Sequence, residues 1–190
     1  MDALKRFFDE ISPVANTSWP HFDRLFNEDF LKRGDYFIKD GEVAKTIGFL
    51  ESGIIRGYYR SKEGMEYNKH FFTHPCMIGG YSSFITGKPN QINQQALTDC
   101  VIYTARYADI QDLYEAHPTI ERVARVLAEQ FFVQKEQREI ELVLLDAEKR
   151  YEIFRRDFPG LEQQIPQYHI ASYLGISATQ LSRIRRKMVS

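Results

Sequence analysis

The chain has 190 residues, 43% hydrophobic and 14% aromatic, with 25 basic and 26 acidic side chains. That length can bury a sizeable core in one or two domains, and the composition excludes a disordered or fibrous chain. The only cysteines, Cys76 and Cys100, are too few for a four-cysteine zinc or iron–sulfur site and read as core residues.

The opening stretch, MDALKRFFDEISPV, mixes acids with bases and has no apolar run long enough for a signal peptide or a membrane span, so a cytoplasmic protein is expected. Apolar residues at 4, 7, 8 and 11 give a first helix, stopped by Pro13. A second helix is expected from a Thr17/Ser18 cap through Phe26, with Pro20 in its first turn. From Gly34 to Thr104 short runs rich in Ile, Tyr, Phe and Val alternate with Gly, Asp, Asn and Ser, which predicts a barrel or sandwich of roughly eight strands.

Periodicity then returns to that of a helix. A short helix to about His117 and a long one from Pro118 to Leu145 are predicted, the latter about 40 Å long at 1.5 Å per residue. Its stripe of Ile120, Val123, Leu127 and Phe131 fits the seam of a two-fold dimer; packing on the chain's own β domain accounts for part of the same stripe. Another amphipathic helix, AEKRYEIFRRDF, ends at Pro159-Gly160.

The closing stretch reads as a helix over 167–174, a turn at Gly175-Ile176-Ser177 and a second helix over 178–188. Gly175 permits a left-handed turn, Ser177 caps the second helix, and Ile170, Leu174, Ile176, Leu181 and Ile184 form the shared core. Residues 163–190 hold Arg183, Arg185, Arg186 and Lys187 and no acid; the remainder has 21 basic against 26 acidic residues, a net −5. Such a cluster favours a polyanion, although a solvated helix end explains the charge alone equally well. Ser177, Thr179, Gln180, Ser182, Arg183, Arg186 and Lys187 are the candidate DNA contacts. A groove-reading helix uses Gln for adenine and Arg for guanine or phosphate.

This order of parts resembles the Crp/Fnr, or cAMP receptor protein, family of bacterial transcription regulators. KDGEVAKTIGFLESGIIRGYY is similar to the first strands of its cyclic-nucleotide-binding β-roll, and IASYLGISATQLSRIRRKM to its helix-turn-helix. SSFITGKPN and AEKRYEIFRRDFPGLEQQIPQYHIASYLGIS look most like the divergent branch of Bacteroidetes-type bacteria. The resemblance implies an α+β fold: a jelly-roll sensor domain with flanking helices over 1–117, a dimerisation helix over 118–145, and a helix-turn-helix without a full wing over 146–190. It also implies a homodimer on double-stranded DNA, controlled by a small-molecule effector, with no cofactor and no membrane.

Three departures qualify the resemblance. Relatives that bind cAMP carry a Gly-Glu pair and, some ten residues later, an Arg-Ser pair; here Gly79-Gly80 and Asn90-Gln91 stand in those places. A buried phosphate without a forked cation is strongly penalised, so cAMP binding in the usual way is not expected. Gly79, Gly80, Ser82, Ser83, Asn90 and Gln91 line either a pocket for a different effector or a vestigial one filled by Tyr81 and Phe84. At the start of the last helix Ala178 and Thr179 replace the usual Arg and Glu, while Arg183 is kept. The sequence also stops at Ser190, before the usual wing, so fewer DNA-backbone contacts per half-site are expected.

An enzyme is not expected. His70 and His74 would lie roughly 13 Å apart on a strand, too far for a cupin-like metal pair, and no triad, P-loop or HExxH signature occurs. The remaining rival is a small-molecule-sensing β-roll that acts through protein partners.

Overall fold

The computed structural model describes residues 2–189, with side chains to Met188. The chain divides into two compact units. Unit 1 comprises Met1–Gly57 and Phe71–Phe132, and unit 2 comprises Tyr58–His70 and Val133–Ser190.

Unit 1 begins with α1 (Asp2–Ile11) and α2 (Trp19–Asp23). The α2 helix is shorter than expected, because Phe26 closes a turn and Asn27 already starts a strand. Eight strands follow among the described residues: β1 (Asn27–Leu31), β2 (Tyr36–Ile38), β3 (Thr46–Ser52), β4 (Ile54–Arg60), β5 (Glu66–Thr73), β6 (Cys76–Ile78), β7 (Asn93–Ala96) and β8 (Cys100–Arg106). A short helix, α3 (Tyr81–Thr86), interrupts them, and α4 (Tyr107–Gln111) leaves the last strand. The strands form two four-stranded sheets, ordered β1-β8-β3-β6 and β2-β7-β4-β5, with antiparallel pairing at β1–β8, β3–β8, β3–β6 and β2–β7.

The side-chain period of two explains the layering. Leu50, Ile78, Cys100 and Ile102 of the first sheet meet Ile55 and Ala96 of the second. Their strand neighbours Phe49, Met77 and Ala105 point the other way, into a layer with Leu4 and Phe8 of α1, Phe22 of α2 and Ile110 of α4. The β8-β3-β6 part of the first sheet is therefore covered on both faces, while β1 is mostly exposed.

The long helix α5 runs over Pro118–Leu144, 27 residues. It is followed by α6 (Ala147–Asp157), a 3-10 turn at Leu161–Gln163, α7 (Gln167–Leu174) and α8 (Ala178–Val189). Asp146 caps α6, its carboxylate accepting the Lys149 N–H at 2.8 Å. Rings of Phe154, Phe158 and Tyr173 meet pairwise at 5.5–5.8 Å in the core of unit 2. No helix among the described residues is long and apolar enough to cross a membrane.

The β3–β4 turn tests the packing of unit 1. Gly53 has φ +102°, and a Cβ there would lie 2.5 Å from Cys100 Sγ and 2.6 Å from the Asp99 carbonyl. Gly53→Ala therefore combines backbone strain with a clash against backbone. It is expected to destabilise the protein by about 2 kcal/mol or more in urea unfolding, and an unchanged midpoint would contradict this packing.

Candidate functional site

Each part of the closing helix pair has a local cause. The α7 helix ends at Gly175, in left-handed conformation (φ 69°, ψ 33°), and the Ile176 N–H reaches back to the Ala171 carbonyl at 3.0 Å. This is the 6→1 closure that glycine makes possible. Ser177 then caps α8, its hydroxyl accepting the Gln180 N–H at 3.1 Å. Ile170, Leu174, Leu181 and Ile184 are buried, and Ile176 is half-buried.

With that core inside, Ser177, Thr179, Gln180, Ser182, Arg183, Arg186 and Lys187 are all exposed on α8 or at its start. The four basic side chains of the tail differ in what they touch. Both oxygens of Glu148 accept from the Lys187 ammonium at 2.8 Å, and that bond raises the lysine pKa. Arg185 lies 4.0 Å from Glu162. The same Glu162 accepts from the Tyr151 hydroxyl at 2.6 Å; burial first, then that bond, pushes the phenol up to about 12. Arg183 makes no ion pair or hydrogen bond among the described residues.

No sequence signal marks what holds α7. Its last carbonyls would be unpaired, as at any helix end. Arg138 of α5 donates to the Tyr173 carbonyl, lies over the Tyr173 ring at 3.9 Å and pairs with Glu141 at 3.2 Å. Arg150 of α6 donates through Nε to the Leu174 carbonyl at 3.1 Å and through Nη1 to the Leu145 carbonyl. On the other flank, α7 meets β5. The Asn68 N–H donates to Ser172 Oγ at 3.0 Å, and that hydroxyl donates to the Glu66 carbonyl at 2.8 Å. Asn68 Nδ2 donates to the His169 carbonyl at 3.1 Å and sits 3.3 Å from His169 Nδ1. His70, edge-on to Phe158 at 5.8 Å, has its pKa lowered to about 4 by burial, with Lys69 and Arg138 adding to the effect.

In unit 1 the six effector candidates sit around α3. Gly80 precedes that helix and is buried; a Cβ on it would meet Ala44 Cβ at 2.8 Å, and one on Gly79 would meet the Phe84 ring at 2.9 Å. Ser83 is buried, its hydroxyl accepting the Ala44 N–H at 3.0 Å and donating to the Lys88 carbonyl at 2.6 Å. Asn90 is also buried and donates to the Ile92 carbonyl. These two polar side chains are thus engaged in holding their own loop, while Ser82 and Gln91 point to solvent. Phe84 stacks on Tyr107 at 4.5 Å, but Tyr81 is exposed and fills nothing. The sequence reading missed Gln94, which is buried: its Nε2 donates to the Gly79 carbonyl at 2.8 Å, and its Oε1 has no partner among the described residues.

Residues 28–117 match the cyclic nucleotide-binding domain family. The solved structures similar to this chain include the c-di-GMP-responsive global regulator CLP of Xanthomonas campestris (15% identity, 92% of this chain and 91% of that one, TM-score 0.72). FixK2 of Bradyrhizobium japonicum (13%, 86% and 84%, TM-score 0.76) and the catabolite activator protein of Thermus thermophilus (19%, 94% and 85%, TM-score 0.59) are also similar. The fold is that of these solved structures, and of one described as a transcriptional regulator of the crp/fnr family. No curated protein matches the chain in sequence.

Within this Crp/Fnr-type fold the four seam candidates on α5 separate. Ile120 and Val123 are fully buried in unit 1, in the layer with Phe8 and Phe22, and Leu127 packs partly against them. Phe131 is exposed. Helical spacing alone cannot say whether a stripe faces home or a partner, and here its first half faces home. The exposed apolar side chains of α5 lie further on, at Phe132, Val133, Ile140, Val143 and Leu144.

The Arg138–Glu141 pair offers a direct test. Both side chains are largely buried, at 15% and 6% exposure, so removing one partner strands the other's charge. Arg138→Ala is expected to destabilise unit 2 by about 3 kcal/mol or more. Adding Glu141→Gln should recover part of the loss, and a double variant no more stable than the single one would contradict the pairing.

Proposed function

We propose that this chain is a DNA-binding transcription regulator of the Crp/Fnr type, with α7 and α8 as its helix-turn-helix. The observation that carries the reading is the two-sidedness of α8. Leu181 and Ile184 are buried, while Thr179, Gln180, Ser182 and Arg183 are exposed on a helix that contains no acid. Short polar side chains followed by arginine suit a major groove, where Gln and Arg reach base edges and phosphates. On this reading the chain is not an enzyme and works in the cytoplasm. Its sensor domain is 1–117, its dimerisation helix 118–145 and its DNA-binding domain 146–190.

Val133, Ile140 and Leu144 are seven and eleven residues apart, hence on one face of α5, and all three are exposed. They supply an apolar stripe for pairing with a second copy, on a different face of the helix from Phe131. A homodimer would present two α8 helices to a two-fold site.

A specific observation favours the second reading, a sensing module that acts through protein partners: Lys187 and Arg185 lie against Glu148 and Glu162. Mobility shift on the DNA upstream of the protein's own gene separates the two. Arg183→Ala should weaken binding about tenfold or more, as loss of a base or phosphate contact does. Lys187→Ala should leave the salt dependence unchanged. The pair Val133→Glu and Ile140→Glu should elute as a monomer and lose the two-fold site. Equal shifts by wild type and Arg183→Ala would sink the DNA reading.

The cassette supports a narrower statement about its effector. Gly80 and Asn90 offer neither a carboxylate for a ribose nor a guanidinium for a cyclic phosphate, and Ser83 and Asn90 are engaged internally. Any effector is therefore a molecule other than cAMP bound in the usual way. Calorimetry with cAMP is expected to show no heat; a micromolar dissociation constant would refute this.

A further inference from the structure

We infer that the β5 segment Glu66–His70 is the positioning element for α7, and through α7 for the exposed face of α8. This inference rests on the DNA reading above for its consequence, but not for its geometry. Strand β5 is at the edge of its sheet, after β4, so one side of it has no strand partner. On a strand, the carbonyl of residue 66 and the N–H of residue 68 point to the same side, and an open edge of that kind needs covering.

Ser172 covers it with one hydroxyl, which accepts from the Asn68 N–H and donates to the Glu66 carbonyl. That is what a residue of a neighbouring strand would do with its own N–H and C=O. One turn earlier on the same face of α7, the buried His169 takes the Asn68 amide at both its carbonyl and its ring. Six polar groups of one strand segment and one helix face are thereby matched, and the register between them has little freedom. A slide along the strand would strand both Asn68 donors and the Glu66 acceptor in a poorly hydrated place.

The dock has a directional consequence. Helix α8 packs on α7 through its buried Leu181 and Ile184, and the Gly175 turn fixes the angle between the two helices. A displacement of the 58–70 segment would therefore re-aim Arg183 and its neighbours through α7. Asn68, His169 and Ser172 are positioning residues on this account. None of them lies on the candidate DNA face.

The full-length protein decides the matter in two arms. In the first, amide hydrogen exchange is followed at Asn68 and along α7. Ser172→Ala is expected to speed exchange at Asn68 about tenfold or more, Asn68→Ala to do the same at His169 and Ser172, and Ser172→Thr, which keeps the hydroxyl, to match wild type. Unchanged exchange in Ser172→Ala overturns the dock. In the second arm, the same variants are titrated onto the DNA upstream of the protein's gene. Ser172→Ala should lose at least about fivefold in affinity with an unchanged salt slope, because the phosphate contacts are the same in number but misaimed. Faster exchange with undiminished affinity overturns the positioning role. If wild type and Arg183→Ala bind alike, the DNA reading fails by itself, and the exchange arm still decides whether β5 holds α7.

Discussion

Helix ends and sheet edges both leave backbone groups without partners, and at α7 one meets the other. The carbonyls at its C-terminal end are taken by Arg138 and Arg150, side chains from two other helices. One face of it, at His169 and Ser172, is joined to an open strand edge by Glu66 and Asn68. The helix that precedes the glycine turn is thus held at its C-terminal end and along one face by groups far away in sequence. Because α8 follows that turn and packs on α7, the direction in which its polar face looks depends on the contacts of α7 as well as on its own.

Charge has to be read in the same way. Four basic residues in an acid-free tail suggested a uniformly cationic surface. The fold returns acids to it from earlier in the chain: Glu148 beside Lys187, and Glu162 near Arg185. These two bases brace α8 against α6 and the 3-10 turn, as well as adding to the local field. Exposed ion pairs contribute little to stability, so the effect is mainly to direct the cations. The field that a polyanion meets is correspondingly narrower than the tail composition implies, and is centred on the segment around Arg183.

Much of the fold was legible because it obeys short-range rules. Pro118 opened α5, the stretch 147–158 read as the amphipathic helix found at Ala147–Asp157, and Gly175 with Ser177 made the turn, each from short-range signals. Strands with weak patterns were missed. Asn27–Leu31 is mostly exposed and reads NEDFL, and Asn93–Ala96 reads NQQA, so neither has the β-branched content that marks a strand. The stripe on α5 showed the limit of periodicity, since Ile120 and Val123 turned inward while Val133, Ile140 and Leu144 remained exposed. The dock between β5 and α7 had no sequence signal at all. His169 and Ser172 are three apart on a helix, which is visible, but their partner at Asn68 is more than a hundred residues away.

The loop around α3 bears on what an effector could be. A cassette that has lost its acid and its arginine could have stayed open for another ligand, with its polar side chains facing the space. Instead Ser83 and Asn90 turn their hydrogen bonds onto the backbone of their own loop, and Gly79 and Gly80 are closely approached by Phe84 and Ala44. The polar atom left over is Gln94 Oε1, a neutral acceptor buried beside Gly79. A buried neutral acceptor asks for a donor, whereas a cyclic phosphate is itself an anion and needs a cation. What remains of the site is thus matched to a hydrogen-bond donor without negative charge.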